Sequence, residues 1–202
     1  MKNLGILLLI LISKTVSCKA QTPIIDIEKK HLAWKNPESY INAYFKDINN
    51  FYDGFEGTWI GTRGNKTLKI VLKKIEQTKN DIPYYYDEMH GEYQYIENGV
   101  VKINTLDNTD YFETSIYGSR LLKSHHKPPC ADCDPNKRRL KIGFFDNVHK
   151  VSATLYLQHT TVNGQPALKG LMYGDEGSYN AANPPEHLYM VIPTGWWTFI
   201  KE

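Results

Sequence analysis

From Gly54 to its end, the chain is dominated by an alternation of apolar and polar residues with a period of two. Leu68, Ile70 and Leu72, for example, share one face of an extended segment, and the residues between them occupy the other face. Successive side chains of a strand point to opposite faces, so this period predicts strands with one buried and one solvated face. The pattern excludes a mainly helical fold and favours an all-β domain.

The predicted strands are separated by short segments rich in turn residues, such as Glu97 to Gly99 and the pair Asn163-Gly164. They are expected at Phe55–Thr62, Lys66–Glu76, Tyr84–Ile96, Val100–Thr105, Tyr111–Tyr117, Arg138–Phe145, Lys150–Thr160, Ala167–Tyr173, Tyr189–Ile192 and Trp196–Lys201. This regular spacing predicts an antiparallel meander of about 8 to 10 strands. A closed barrel and a two-sheet sandwich are the two ways to hide its edges, and composition does not choose between them.

A short amphipathic helix is predicted before the strands. Asn36 and Pro37 offer a cap followed by proline at the first helical position, and apolar residues follow at positions 41, 44, 45 and 48. The helix should end near Asn50 and flank the sheet core. Residues 36–202 are therefore expected to form a single β-barrel domain with a leading short helix.

Residues 1–17 have the layout of a secretory signal peptide, with the apolar run Leu4 to Ile12 followed by small or polar residues. This run is too short to cross a bilayer, which requires about 20 apolar residues. The residues around Cys18 match the last three positions of a bacterial lipobox, which predicts cleavage and lipidation at Cys18. Ordinary cleavage near Ala20 or Gln21 is the alternative.

The segment 18–35 is polar and interrupted by Pro23, which predicts a lipid-anchored flexible tether between the membrane and the domain. Removal of Lys2 and Lys14 with the signal peptide lowers the number of basic residues from 24 to 22, equal to the 22 acidic residues. A mature chain that is close to neutral argues against a nucleic-acid partner.

One loop, Ser124 to Pro135, concentrates His125, His126, Cys130 and Cys133. Four such side chains could bind zinc, since zinc prefers nitrogen and sulfur ligands in a tetrahedral arrangement. In an oxidising compartment, however, a disulfide between Cys130 and Cys133 is the simpler expectation. Redox catalysis fits poorly, because the pattern predicts a strand after this CxxC instead of the helix that activates such thiols.

The remaining polar clusters give weaker indications. Asp87, Glu88 and His90 share a strand and could contact a ligand inside a barrel, although a solvated strand face is the simpler interpretation. The oxygen-rich stretch 173–180 lacks the ligand spacing of a calcium loop. No motif of a serine hydrolase, zinc protease or phosphate-binding loop is present in the sequence. We therefore expect a protein that is not an enzyme and needs no cofactor.

The stretch Gly57-Thr58-Trp59 resembles the glycine-x-tryptophan opening of lipocalin-type barrels. That resemblance implies a closed barrel in which Trp59 packs at one end. The chain also ends in a predicted strand, WWTFIKE, which could pair with the first strand and close the sheet.

Several longer blocks resemble an uncharacterised family of small Bacteroidota lipoproteins that is defined by a domain of unknown function. The blocks are Tyr44–Gly61, Thr67–Glu76, Gly91–Val100 and the ending with Pro193 and Lys201, together with the start at Cys18. The resemblance covers nearly the full length, and it implies no catalytic residues.

These observations predict a lipid-anchored β-barrel protein of the cell envelope that binds a small apolar ligand or an envelope partner. The alternatives are a hydrolase-like envelope enzyme with a site at the barrel mouth, or a protein with a zinc-binding loop. The residues after Cys18 lack an acidic sorting run, which favours the periplasmic side of the outer membrane.

Overall fold

The structure, a computed structural model, describes residues 22–79, 81–108, 113–130, 133–146, 148–174 and 189–202. The strands in these ranges are β1 (Ile24–Asp26), β2 (Tyr44–Lys46), β3 (Gly57–Arg63), β4 (Lys66–Thr78), β5 (Tyr85–Glu97), β6 (Val100–Asn104), β7 (Ile116–Leu122), β8 (Arg139–Asp146), β9 (Val151–Val162), β10 (Gln165–Gly174) and β11 (Gly195–Lys201). A 3-10 turn, Ile27–Lys29, continues as one α-helical turn, Lys30–Ala33, and the two together are α1. A second 3-10 turn spans Pro37–Tyr40.

Eight antiparallel strands close into a barrel in which β3, β4, β5, β7, β8, β9, β10 and β11 follow one another around the wall. The last strand pairs with the first, with Phe199 opposite Gly61. The wall is completed where β5 pairs with β7, with His90 opposite Tyr117. The short strand β6 pairs with the end of β5 outside this ring. The predicted all-β meander is confirmed as a closed barrel with a short N-terminal helix, and the sandwich alternative is excluded.

Large side chains fill the interior of the barrel. The most deeply buried of them are Trp59, Leu68, Ile70, Tyr93, Tyr95, Phe144, Leu157, Trp197 and Phe199. Glycines stand where these rings come closest to the wall: a Cβ at Gly170 would lie 2.7 Å from the ring of Phe199, and a Cβ at Gly61 would lie 2.9 Å from it. The interior is therefore a packed core, as in other small eight-stranded barrels.

The N-terminal segment belongs to the folded domain. Strand β1 pairs with β2 in parallel, and β2 pairs in parallel with β5, where Phe45 lies opposite Tyr86. Ile27 and Ala33 of α1 are buried in the core. The flexible tether predicted for 18–35 is thus wrong for residues 24–33, which form β1 and α1. Within the described ranges, we find no helix with the length and apolar character needed to cross a membrane.

The helix predicted from Asn36 to Asn50 is also wrong beyond its first turn. Asn36 precedes the 3-10 turn as expected, but Asn42 adopts a positive φ of 58° that ends any helical course. Tyr44 and Phe45 then lie in β2, which pairs with the first residues of β5. This pairing satisfies backbone groups of β5 that a helix at residues 44–45 would leave without a partner.

Two predicted strands differ from the observed ones. Residues 189–192 form no strand; the N–H of Val191 instead donates to Oδ2 of Asp146 at 2.6 Å, so a side chain satisfies this backbone group. The strand predicted at Tyr111–Tyr117 lies later, at Ile116–Leu122, and Tyr111 falls outside the described residues.

Candidate functional site

Two buried carboxylates tie the N-terminal segment to the barrel. Asp87 accepts hydrogen bonds from the hydroxyl of Tyr44 at 2.5 Å and from the N–H groups of Asp47 and Gln77 at 2.8 and 3.3 Å. Burial raises the pKa of Asp47, and the N–H of Tyr52, which donates to it at 2.8 Å, opposes that rise. The oxygens of both carboxylates accept backbone or phenol donors, so these residues have a structural role.

Glu88 and His90 form a second buried pair, on the other side of β5 from Asp87. Nε2 of His90 lies 3.0 Å from Oε2 of Glu88, and the two residues are 9% and 7% exposed. Nδ1 of His90 is buried without a hydrogen-bond partner. In the described part of the chain, no hydroxyl or thiol is hydrogen-bonded to this ring. The predicted polar set of Asp87, Glu88 and His90 therefore does not converge inside the barrel.

Trp59, expected to pack at a barrel end, is buried near the start of β3. Its indole N–H donates to the carbonyl of Phe55 at 2.8 Å, in the turn that leads into the strand. Nζ of Lys201 lies 5.2 Å from the centre of the indole ring. These contacts link the two strands at which the barrel closes.

Cys130 and Cys133 form a disulfide, with Cα atoms 5.5 Å apart. Each sulfur lies 3.0 Å from Oε1 of Gln158 on β9, so the disulfide packs against the barrel wall. The rings of His125 and His126 contact each other edge to face, 4.6 Å apart. Among the described residues no three side chains converge as metal ligands, and the disulfide removes two of the four zinc ligands considered from the sequence.

Arg139, at the start of β8, also binds the same loop. Its buried guanidinium donates to the carbonyl groups of Pro128, Lys123 and His126 at 2.6, 3.0 and 2.6 Å. Desolvation lowers the pKa of Arg139, but a guanidinium stays charged at physiological pH. Because one rigid donor group binds three carbonyls, the backbone of residues 123–128 is held in one arrangement.

The preceding residue, Arg138, holds α1. Its guanidinium makes two hydrogen bonds to the carboxylate of Glu28, at 2.6 and 3.2 Å. The hydrogen bond from Arg138 lowers the pKa of Glu28, although partial burial opposes the shift. Neighbouring arginines at the start of β8 thus fix α1 on one side and the 123–128 loop on the other.

A groove of about 560 Å³ lies between these two elements. Residues 26–31 and 34 form one wall, and residues 119–121, 123, 125 and 126 form the other. The lining carries the cations Lys29, Lys30, Arg120 and Lys123, and we call it the basic groove. Its volume is in the range of small-molecule sites.

The acids of the basic groove accept hydrogen bonds from other residues, whereas its cations have no carboxylate as an ion-pair partner. Glu28 is bound by Arg138, and Asp26 accepts from the N–H of Glu28 at 2.9 Å and from the amide of Asn49 at 3.0 Å. By contrast, none of the four lining cations forms an ion pair with a carboxylate of the described residues.

Lys30 is the buried cation of the groove and is only 8% exposed. Its ammonium donates to Oγ of Ser119 at 2.7 Å and lies 3.1 Å from the centre of the Tyr86 ring. Desolvation lowers the pKa of Lys30 to about 8, against the attraction of Glu88. A buried ammonium with neutral contacts gains stability from any anion that reaches it.

His126 lies among the cations of the opposite wall, formed by residues 119–126. Desolvation lowers its pKa, and the charges of His125, Arg120 and Lys123 lower it further. The N–H of Lys123 donates to Nδ1 of His126 at 3.1 Å, which leaves Nε2 as the protonated nitrogen of the neutral ring. Arg120 and Lys123 thus add positive charge to this wall, and the neutral ring of His126 offers a donor at Nε2.

Two other clefts border undescribed residues. One of about 870 Å³ is lined by Gly174 and Tyr189, which flank residues 175–188, and one of about 370 Å³ is lined by Asn108 and Thr114, which flank residues 109–112. Their extent is not defined by the described residues. Cys18, the signal peptide predicted for residues 1–17 and most of the stretch 173–180 also lie outside the described residues.

The sequence indicates His125 and His126 only as candidate zinc ligands, and it gives no indication of the other residues of the basic groove. Lys30 was assigned to the tether, although Asp26 was a readable signal: its side chain caps the first turn of α1 through the N–H of Glu28. Arg120 and Arg139 gave no local signal, because their roles depend on contacts between distant segments.

A comparison with models of protein families matches the whole chain, residues 1–202, to a family described as a family of unknown function. No curated protein and no solved structure matches the chain. The match agrees with the domain of unknown function expected from the sequence, and it assigns no activity. The chain belongs to the family of unknown function DUF6705.

Proposed function

We propose that this protein is a lipid-anchored binding protein of the cell envelope, in which the barrel is a packed scaffold and the basic groove is the binding site. The observation that carries the proposal is the construction of the groove. Arg138 fixes one wall through Glu28, and Arg139 fixes the other through three carbonyl groups. A preformed groove with unpaired cations has the properties of a binding site.

Because the interior of the barrel is packed, the proposed binding site lies outside the barrel. A small apolar ligand inside the barrel would have to displace buried rings such as Phe199 and Trp197. At the rim of the basic groove, by contrast, Trp34 is 60% exposed and offers an aromatic surface to a bound molecule. The small apolar ligand expected from the sequence is therefore replaced in this proposal by a ligand of the groove.

Lipidation of Cys18 would place the groove close to a membrane. Five residues lie between Cys18 and Ile24, which makes six steps from Cα to Cα. An extended chain spans at most about 3.5 Å per step, so the anchor would reach about 20 Å. Because α1 follows directly on β1, the wall of the groove would face the anchored side of the domain. The periplasmic face of the outer membrane remains the proposed location, with a membrane component or envelope protein as the partner.

Intact-mass spectrometry of the protein extracted from its native membranes, with and without reduction and alkylation, tests the anchor. We expect the mass of residues 18–202 with a diacylglyceryl group and an acyl chain, and two cysteines that alkylate only after reduction. A lipid-free mass would remove the proposed location but would leave the basic groove intact.

A hydrolase is the second candidate, favoured by the hydrogen bond between His90 and Glu88. It is tested with a fluorophosphonate probe that labels activated serines. No labelling of the folded protein is expected for a binding protein. Labelling that disappears in His90→Ala would support the hydrolase and contradict a role in binding alone.

A further inference from the structure

We propose that the basic groove binds the phosphate group of its ligand, with Lys30 as the buried cation and Arg120 and Lys123 as cations of the opposite wall. The inference rests on the proposed function, in which this groove is the ligand site, and it adds the chemical class of the ligand.

The arrangement of charge favours an anion. The four lining cations make no ion pair with the described carboxylates, whereas Asp26 and Glu28 are occupied by other donors. The positive potential also acts on His126, whose pKa is lowered by desolvation and by the surrounding cations. An anion in the groove would relieve this repulsion and would give Lys30 the charged partner that it lacks.

The number and type of donors favour phosphate over a single carboxylate. A phosphate monoester carries close to two negative charges and three acceptor oxygens. Lysine and arginine on facing walls can satisfy several of these oxygens, and arginine offers a planar pair of donors. The groove is much larger than a phosphate ion, so the rest of the ligand would extend towards the exposed ring of Trp34.

Phosphate of this kind could come from a soluble metabolite or from a lipid headgroup. Isothermal titration calorimetry of the full chain in a non-ionic detergent separates the two sources. The probes are glycerol 3-phosphate and a short-chain phosphatidic acid, which carry the same group, and glycerol is the neutral control. Comparable binding of both probes indicates a soluble source, and binding of the lipid probe alone indicates a headgroup; either outcome supports a phosphate site.

The matched variants are Arg120→Gln in the groove and Lys102→Gln on β6, because each removes one exposed positive charge. We expect about tenfold weaker binding for Arg120→Gln, the equivalent of one charge-assisted hydrogen bond, and unchanged binding for Lys102→Gln. Lys30→Met should abolish binding. If this substitution of a buried residue impairs folding, the exposed variant Arg120→Gln still tests the proposal.

If neither phosphate probe binds at about 1 mM, the phosphate assignment is overturned. Equal losses in Arg120→Gln and Lys102→Gln would also overturn it, because they would indicate general attraction to a positive surface. If glycerol or another neutral compound changes the fluorescence of Trp34 while the phosphate probes do not, the groove remains a binding site and only the phosphate class is wrong. The mass of the mature protein tests the anchor independently.

Discussion

Replacing Gly170 with alanine should destabilise the protein if the barrel is packed. The new Cβ would lie 2.7 Å from Cε2 of Phe199 and 3.2 and 3.3 Å from methyl groups of Leu157 and Leu155. All three neighbours are fully buried, so none can move aside into solvent. Overpacking of this kind costs about 1 to 3 kcal/mol, and the lower entropy of the unfolded alanine chain returns about 0.4 to 1 kcal/mol. We expect a net loss of about 1 to 2 kcal/mol.

Urea denaturation followed by tryptophan fluorescence measures this loss, and a thermal melt should show a decrease of several degrees, at about 2 to 4 °C per kcal/mol for a chain of this size. Gly143→Ala on β8 is the matched control, because its Cβ would meet the nearest atom, the carbonyl oxygen of Tyr117, at an ordinary 3.4 Å. Equal free energies of unfolding for Gly170→Ala, Gly143→Ala and the wild type would refute this reasoning. They would show that the interior has space for an added methyl group, and a ligand site inside the barrel would have to be considered again.

Three further perturbations test other parts of the structure. Asp87→Asn should lower the free energy of unfolding by about 2 to 4 kcal/mol in urea, since its three partners are all donors and an amide accepts fewer of them; an unchanged urea midpoint would contradict the network. Replacing Cys130 and Cys133 by serine should cost only about 2 kcal/mol, because the closed loop is short, and complete unfolding of that variant would show that the disulfide does more than stiffen a loop. Desolvation and nearby lysines lower the pKa of His159 in the folded state, so the unfolded chain binds its proton first and stability should fall as the pH drops below about 6.5. His159→Gln should flatten that pH dependence in acid melts, and an identical slope would assign it to other groups.

The barrel could be predicted from the sequence because each of its strands has a local pattern of alternating apolar and polar residues. The alternation of Leu68, Ile70 and Leu72 needs only the neighbouring residues to be read, and the same three side chains are buried in β4. Closure of the barrel was predicted from a weaker indication, the presence of a strand at the end of the chain. This strand, β11, pairs with β3 as expected.

The N-terminal segment could not be read in this way, because its structure is set by distant partners. The seven residues of α1 are too few for a helix that is stable alone, and the segment is held by buried contacts of Ile27 and by an ion pair with Arg138, far along the chain. Phe45 follows a helical spacing in the sequence but enters a strand, because the edge of β5 is available beside it.

The basic groove could not be predicted from the sequence either, because it depends on contacts between distant segments. Its walls come from two segments separated by more than eighty residues, and each segment alone looks like a solvated stretch with a few lysines. The burial of Lys30 and the hold of Arg139 on the loop appear only once α1 and the barrel are assembled. Sequence periodicity reports which residues share a face of one element, and it contains no information on which elements meet.

The central claim is that ligands bind in the basic groove and not inside the barrel. Mapping of amide chemical shifts on the isotopically labelled full chain, during titration with the phosphate probe that binds in calorimetry, tests it most directly. We predict saturable shifts concentrated at residues 27–34 and 119–126, with the inward-facing residues of β3, β10 and β11 unaffected. Shifts concentrated at those inward-facing residues, or shifts that never saturate, would contradict the claim.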